Sequence, residues 1–224
     1  MSYRRKRMGR VQIIVEGMTA SGKSTVVNLL SERLGLRVMP EDFRDQYDLL
    51  RRFHAERRWA FPMQLNFLVT RFAQYLCASE SDEYILDRSV FGDKIYATLY
   101  YKLGYFRDSQ FGTYLMLYDS LLKHLEMPKL IIILSCPFDE IMRRIHERGR
   151  PDEIEAGEEY WRSLYEAYSS FLDFVRSEKE LSASGFMTFD LGDPAFIHTP
   201  ERVERFVSDV REALGARQGN ESGE

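Results

Sequence analysis

The sequence has no apolar stretch long enough to cross a bilayer. Its longest aliphatic run, LIIIL at 130–134, falls far short of the roughly 20 residues that a spanning helix needs. Cysteine is scarce: Cys77 and Cys136 lie far apart and match no metal spacing, so they read as buried thiols in a reducing compartment. The four histidines, His54, His124, His146 and His198, are equally scattered and offer no metal centre. Excess positive charge is missing as well. A formal net charge of −4 and a pI near 5.7 exclude a general binder of nucleic acid or anionic membrane. Any phosphate site must therefore come from a local cluster of arginines. No internal repeat, low-complexity stretch or Pro/Gly/Ser-rich linker divides the 224 residues. The opening MSYRRKRMGR has no apolar core of a secretory signal, and residues 1–10 read as a basic disordered arm. Residues 215–224 are polar and Gly-rich and read as a flexible tail. Between them, 11–214 is expected to form one domain of a soluble, cytoplasmic protein.

What is present is an alternation. Hydrophobic residues at 44% and charged residues at 29% are ordinary globular values. Short β-rich runs at 11–16, 36–39, 84–87, 130–134 and 186–191 read as buried strands. Helix-length segments lie between them, at Ser24–Leu34, Trp59–Ser79, Asp93–Leu103, Gln110–Leu125, Asp139–Arg148 and Glu159–Glu178. The last, at 199–214, opens with Thr199 as cap and Pro200 in the first turn. Such alternation implies βαβ units, an α/β domain and a parallel sheet covered by helices. Ligands of such sheets sit at the carboxyl ends of the strands, and four of the candidate strands end on or near Glu16, Glu41, Asp87 and Ser135.

Between the first strand and the first helix, GMTASGKST (17–25) completes the pattern G-x-x-x-x-G-K-[ST]. Gly17, Met18, Thr19, Ala20, Ser21, Gly22, Lys23, Ser24 and Thr25 are the expected phosphate-binding residues. The glycines let backbone amides turn onto phosphate oxygens, and the helix N-terminus adds partial positive charge. Lys23 should reach the β- and γ-phosphates, and the Ser24 hydroxyl should ligate Mg²⁺. A chance Gly/Ser turn is the alternative, and the flanking strand and helix argue against it.

Three further clusters bear on the acceptor: Glu41 beyond the second strand, DRSVFGD (87–93) after the third, and RRIHERGRPDE (143–153). Arg144 and Arg148 are four apart and share a helical face. That cluster reads either as a solvated face or as a flap that carries charge onto a moving phosphoryl group. An anionic acceptor calls for surrounding arginines, whereas a neutral alcohol needs a base to take its proton. Glu41 points to a hydroxyl acceptor, unless it is only a polar strand end.

Together these residues resemble the deoxynucleoside kinases, the family of deoxyguanosine, deoxyadenosine and deoxycytidine kinases, from about Val11 to Leu214. The resemblance implies a P-loop kinase fold with a five-stranded parallel sheet ordered 2-3-1-4-5, a short Arg-rich lid at about 143–157, and a homodimer. It implies ATP or another nucleoside triphosphate as phosphoryl donor, with Mg²⁺, and a deoxynucleoside as acceptor. Glu41 matches the general base for the sugar 5′-hydroxyl. The residue after it is Asp42 rather than the usual proline, so the two acids could exchange roles. Arg88, with Lys23 and Glu41, falls at a catalytic position, and Asp87 falls near the metal. Gln64 in RWAFPMQLNFLVTR (58–71) would pair with the base edge, Phe67 and Tyr96 are candidates to stack on it, and Arg71 with Asp93 would face it. That pair favours a purine deoxynucleoside or deoxycytidine over thymidine. Arg144, Arg148 and Arg150 would clamp phosphates, and Glu153 would hold the 3′-hydroxyl. Phe53 stands where most members place a tyrosine that also holds that hydroxyl, a bond that phenylalanine cannot make. Glu153 then acts alone, Tyr47 or His54 substitutes, or selection at the sugar is looser. Two rivals stay open: a thymidylate-type kinase, and a non-catalytic nucleotide-binding subunit of the same fold.

Overall fold

The structure, a computed structural model, describes residues 9–39, 45–171, 173, 175, 184–193 and 195–221, with side chains in the last stretch as far as 215. Glu41 and Asp42 lie outside the described residues, as do 1–8 of the expected arm and 222–224 of the expected tail.

The β-rich runs become strands β1 (Ile13–Glu16), β2 (Arg37–Met39), β3 (Tyr84–Asp87), β4 (Leu130–Ser135) and β5 (Gly185–Asp190). They form one sheet in the order β2-β3-β1-β4-β5, and every neighbouring pair is parallel. This is the expected order. The central strands are mostly apolar up to their last residues, Glu16, Asp87 and Ser135, because both faces are covered. Alternation along them divides the core in two. Ile14, Leu86, Ile131 and Ile133 face one cluster, and Ile13, Val15, Ile85, Ile132 and Leu134 face the other.

Helices α1 (Lys23–Leu34), α3 (Ala60–Ala78), α4 (Val90–Lys102), α5 (Asp108–Leu122) and α6 (Phe138–Arg148) match the expected segments to within a turn at each end. Val26, Val27 and Leu30 of α1 pack on the second face, together with Val203, Phe206, Val207 and Val210 of the C-terminal helix. The first face carries α3, α4 and α5. In α5, Tyr114, Tyr118 and Leu122 are buried there, while Met116 is exposed. Helix α8 runs Gly157–Ser169, and the C-terminal helix α9 runs Pro200–Glu221, past the expected end at 214.

Two helices were not anticipated: α2 (Leu49–Ala55) and α7 (Pro151–Glu155). Neither is long enough to show helical periodicity, and both are set by their first turns. The Asp45 carboxylate accepts from Leu49 N at 2.6 Å and Leu50 N at 2.9 Å, which satisfies two otherwise orphaned amides of α2. Pro151 opens α7 at the position where its missing N–H costs nothing. Among the described residues no helix is long and apolar enough to cross a membrane.

Candidate active site

A cavity of about 500 Å³ opens at the carboxyl ends of β1 and β3 and extends along α3 and α4. At one end is the turn between β1 and α1. Gly22 caps α1 with φ 97°, a left-handed conformation that side chains with a Cβ rarely adopt. Of this loop, Thr19, Ala20, Lys23 and Ser24 line the cavity, while Met18 and Ser21 are buried. Thr25 is exposed and does not line it. Lys23 is itself buried, and its Nζ donates to Met18 O at 2.8 Å.

The exit of β3 supplies the facing wall. Ser24 Oγ donates to Asp87 Oδ2 at 2.7 Å, and the buried Asp87 Oδ1 has no hydrogen-bond partner among the described residues. A hydroxyl and a carboxylate with an open oxygen fit Mg²⁺, which takes one or two protein oxygens and completes its shell with phosphate and water. Among the described residues there is no group of three or more His, Cys, Asp or Glu side chains that could hold a metal.

Arg88 follows with φ 66°, which turns consecutive side chains apart. Asp87 faces Ser24, while Arg88 donates to Thr19 Oγ1 at 3.2 Å, Tyr96 Oη at 2.7 Å and Tyr168 Oη at 3.3 Å. Behind this turn sits Glu16, which is fully buried. Its Oε1 accepts from Ser89 N at 2.9 Å and Ser89 Oγ at 2.7 Å. Burial pushes the Glu16 carboxyl above its ordinary range, against the hydrogen bond from Ser89 and the charges of Arg88, Lys23 and Arg71. A Cβ at residue 92 would lie 2.9 Å from Glu16 Oε2, so Gly92 gives that carboxylate its room. Glu16 thus holds the turn that presents Arg88.

The other end of the cavity is lined by Phe53, His54, Met63, Gln64, Phe67 and Arg71, among others. Gln64 is buried on α3, and its Oε1 has no hydrogen-bond partner among the described residues. Two helical turns further on, Arg71 bonds Asp93 of α4, with side chains 10% and 1% exposed, and its guanidinium lies 4.7 Å from the centre of the Phe67 ring. Removing one member of a buried pair strands the other charge. Arg71→Ala or Asp93→Ala is expected to lower the stability of the fold by about 3–5 kcal/mol, measured by urea denaturation, and the double variant to lose less than the sum. Strict additivity would mean that the two side chains are uncoupled.

The Arg-rich segment divides by function. Arg143 turns to Glu140 and Glu147 at the surface. Arg144 donates to Ala20 O at 3.3 Å, to Leu191 O at 2.7 Å and to Glu140 Oε1 at 2.7 Å. Hydrogen bonds from Arg143, and then from Arg144, hold the Glu140 carboxyl down at about 2, so this anchor for Arg144 stays charged. Arg144 is therefore braced against the phosphate loop without lining the cavity, while Arg148 and Arg150 do line it. The Glu153 carboxylate accepts from Arg148 at 2.6 and 2.7 Å and from Arg150 at 3.5 Å.

Lys23, Ser24, Asp87, Arg88, Phe53, Gln64, Arg71, Arg148, Arg150 and Glu153 meet in this one cavity, and Asp93 joins it through Arg71. Sequence reasoning did not single out Arg57, Tyr100, Tyr105, Tyr160 and Trp161, which also line it. These come from helix ends and from faces whose aromatics look like ordinary core.

A deoxynucleoside kinase family model matches residues 13–215. A protein of Bacillus subtilis (strain 168) named deoxyadenosine/deoxycytidine kinase is 28% identical over 210 residues, covering 92% of this chain and 94% of its own. The solved structure of deoxyadenosine kinase from M. mycoides with bound dATP has the same fold. It aligns with a TM-score of 0.76 at 24% identity, covering 90% of this chain and all of its own. A bovine protein named NADH dehydrogenase [ubiquinone] 1 alpha subcomplex subunit 10 is also similar, at 23% identity over 75% of this chain and 56% of its own length. Deoxynucleoside kinases are phosphotransferases. By the span of the family match, and by the sheet order and phosphate turn described above, this chain belongs to the deoxynucleoside kinase family.

Proposed function

We propose that the protein transfers the γ-phosphoryl group of ATP, or of another nucleoside triphosphate, to the 5′-hydroxyl of a deoxynucleoside. The favoured acceptors are purine deoxynucleosides and deoxycytidine. The observation that carries this reading is the continuity of the cavity, from Lys23, Ser24 and Asp87 at the phosphate turn to Gln64 and Arg71 at the far end. Its volume of about 500 Å³ is in the range of small-molecule sites, and it gives a donor phosphate and an acceptor base opposite ends of one space.

In this reading Lys23 and Arg88 neutralise the moving phosphoryl group, and Arg148 and Arg150 close over it from the lid. Phosphoryl transfer has little covalent work for the protein, so placed positive charge is the main contribution. Glu41 takes the proton of the 5′-hydroxyl. Gln64 offers both a donor and an acceptor to the base edge, and Arg71, fixed by Asp93, adds a cationic contact. Ser24 and Asp87 would hold Mg²⁺, which when bound offsets phosphate charge. The working form is a homodimer in the cytoplasm, with small molecules rather than nucleic acid or membrane as partners.

The test is a phosphoryl-transfer screen with ATP and Mg²⁺. The acceptors are deoxyadenosine, deoxyguanosine, deoxycytidine and thymidine, with the four monophosphates alongside. Product from a nucleoside other than thymidine is expected. Product from monophosphates alone would replace this reading with a thymidylate-type kinase, and nucleotide binding without transfer to any acceptor would replace it with a non-catalytic subunit.

A further inference from the structure

Phe53 leaves the acceptor end of the cavity without a phenolic hydroxyl at that position, and the structure offers one close by. Tyr100 of α4 packs on Phe53 with ring centroids 5.1 Å apart, and both residues line the cavity and are 3% exposed. Its hydroxyl lies 3.2 Å from that of Tyr160 on α8, another lining residue. The two hydroxyls carry two protons and use one on each other, so the pair retains a donor as well as acceptor lone pairs. Burial lifts the Tyr100 hydroxyl well above the ordinary tyrosine range, which keeps it protonated and able to donate.

The other candidates fit less well. Tyr47 is 68% exposed and does not line the cavity. His54 does line it, but its ring meets the Phe53 ring at a centroid distance of 5.5 Å, and no hydrogen bond among the described residues fixes its orientation. The Glu153 carboxylate is held by Arg148, and Trp161, the neighbour of Tyr160, donates to the Glu153 carbonyl at 2.9 Å. The tyrosine pair therefore lies between Phe53 and the Glu153 segment.

We propose that Tyr100, paired with Tyr160, holds the 3′-hydroxyl of the acceptor sugar in place of the hydroxyl that Phe53 lacks, and so sets selection between 3′-hydroxyl and 3′-deoxy nucleosides. This rests on the kinase reading above. A hydroxyl that has moved across a ring contact does the same work from the neighbouring side chain. A site built around a substrate hydroxyl discriminates against the analogue without it, because its own polar group is then left unpaired.

The experiment compares kcat/KM for deoxyadenosine against 2′,3′-dideoxyadenosine, and for deoxycytidine against 2′,3′-dideoxycytidine, in the full chain. The wild type is expected to favour the 3′-hydroxyl by on the order of tenfold or more. Tyr100→Phe should collapse that ratio towards one by lowering only the 3′-hydroxyl substrates, and Phe53→Tyr/Tyr100→Phe should restore much of it. A ratio that Tyr100→Phe leaves in place, or a parallel loss on both substrates that the double variant does not repair, would overturn the assignment. A ratio that collapses in His54→Ala but not in Tyr100→Phe would also overturn it. Those outcomes leave the kinase reading standing. Failure of the wild type to phosphorylate any nucleoside is a different result, which removes the kinase reading and this inference with it.

Discussion

Lys23→Met is expected to lower kcat by on the order of a thousandfold, while deoxynucleoside binding stays near that of the parent. The size follows from where the charge sits. Lys23 is the buried cation of the phosphate turn, and its ammonium is held by Met18 O at 2.8 Å inside the loop that wraps it. An ammonium carries three protons, so a phosphate oxygen arriving in the cradle can take a second bond without breaking the first. A cation fixed in a dry site needs no reorganisation when charge develops, and single donors of this kind contribute about 10²–10³ in rate, with charged fingers contributing more. Methionine keeps much of the volume and removes the charge, so a folding defect should not confuse the result. Steady-state kinetics at saturating nucleoside, with calorimetry of nucleoside binding, separates the two effects. A variant that kept kcat to within a few fold would mean that Lys23 does not touch the transferred group.

Glu41→Gln should lower kcat by about 10²–10⁴ and leave nucleoside KM little changed, the range that a positioned general base contributes. Glutamine keeps the length and one acceptor oxygen but cannot accept the proton. The acceptor hydroxyl must then lose it to water, a far weaker base than a carboxylate. Asp42, the next residue, provides the internal comparison. If the loss appears in Asp42→Asn and not in Glu41→Gln, the base is Asp42. If neither variant loses turnover, no carboxylate here takes the proton, and the choice of a neutral alcohol over an anionic acceptor loses its basis.

The sheet was legible because its central strands are largely buried on both faces: LIIIL cannot be a surface segment, and runs such as YILD break off at a charged residue at the carboxyl end of the strand. The phosphate turn was legible because Gly22, Lys23 and Ser24 carry both a backbone requirement and a chemistry in adjacent letters. Arg88 was found by its place after a strand, but its companion Glu16 was marked only as a strand end. Burial under the loop, and the contacts to Ser89 and Gly92, are three-dimensional facts that no spacing announces. The tyrosines were missed for a similar reason. Tyr100 sits at a helical position where an aromatic ring is ordinary core, and only the meeting of α4 with α2 and α8 makes its hydroxyl a feature of the cavity.

Helix α2 shows what the acceptor end is made of. It has seven residues, too few to hold a helix by propensity, and it stays folded through the Asp45 cap and two buried side chains, Leu49 and Phe53. Phe53 is at once the anchor of that helix and part of the cavity wall. The wall and the support are the same ring, so whatever settles against Phe53 also tightens the helix that carries it. If the acceptor packs on Phe53 as proposed above, its binding and the stability of α2 are coupled through one ring.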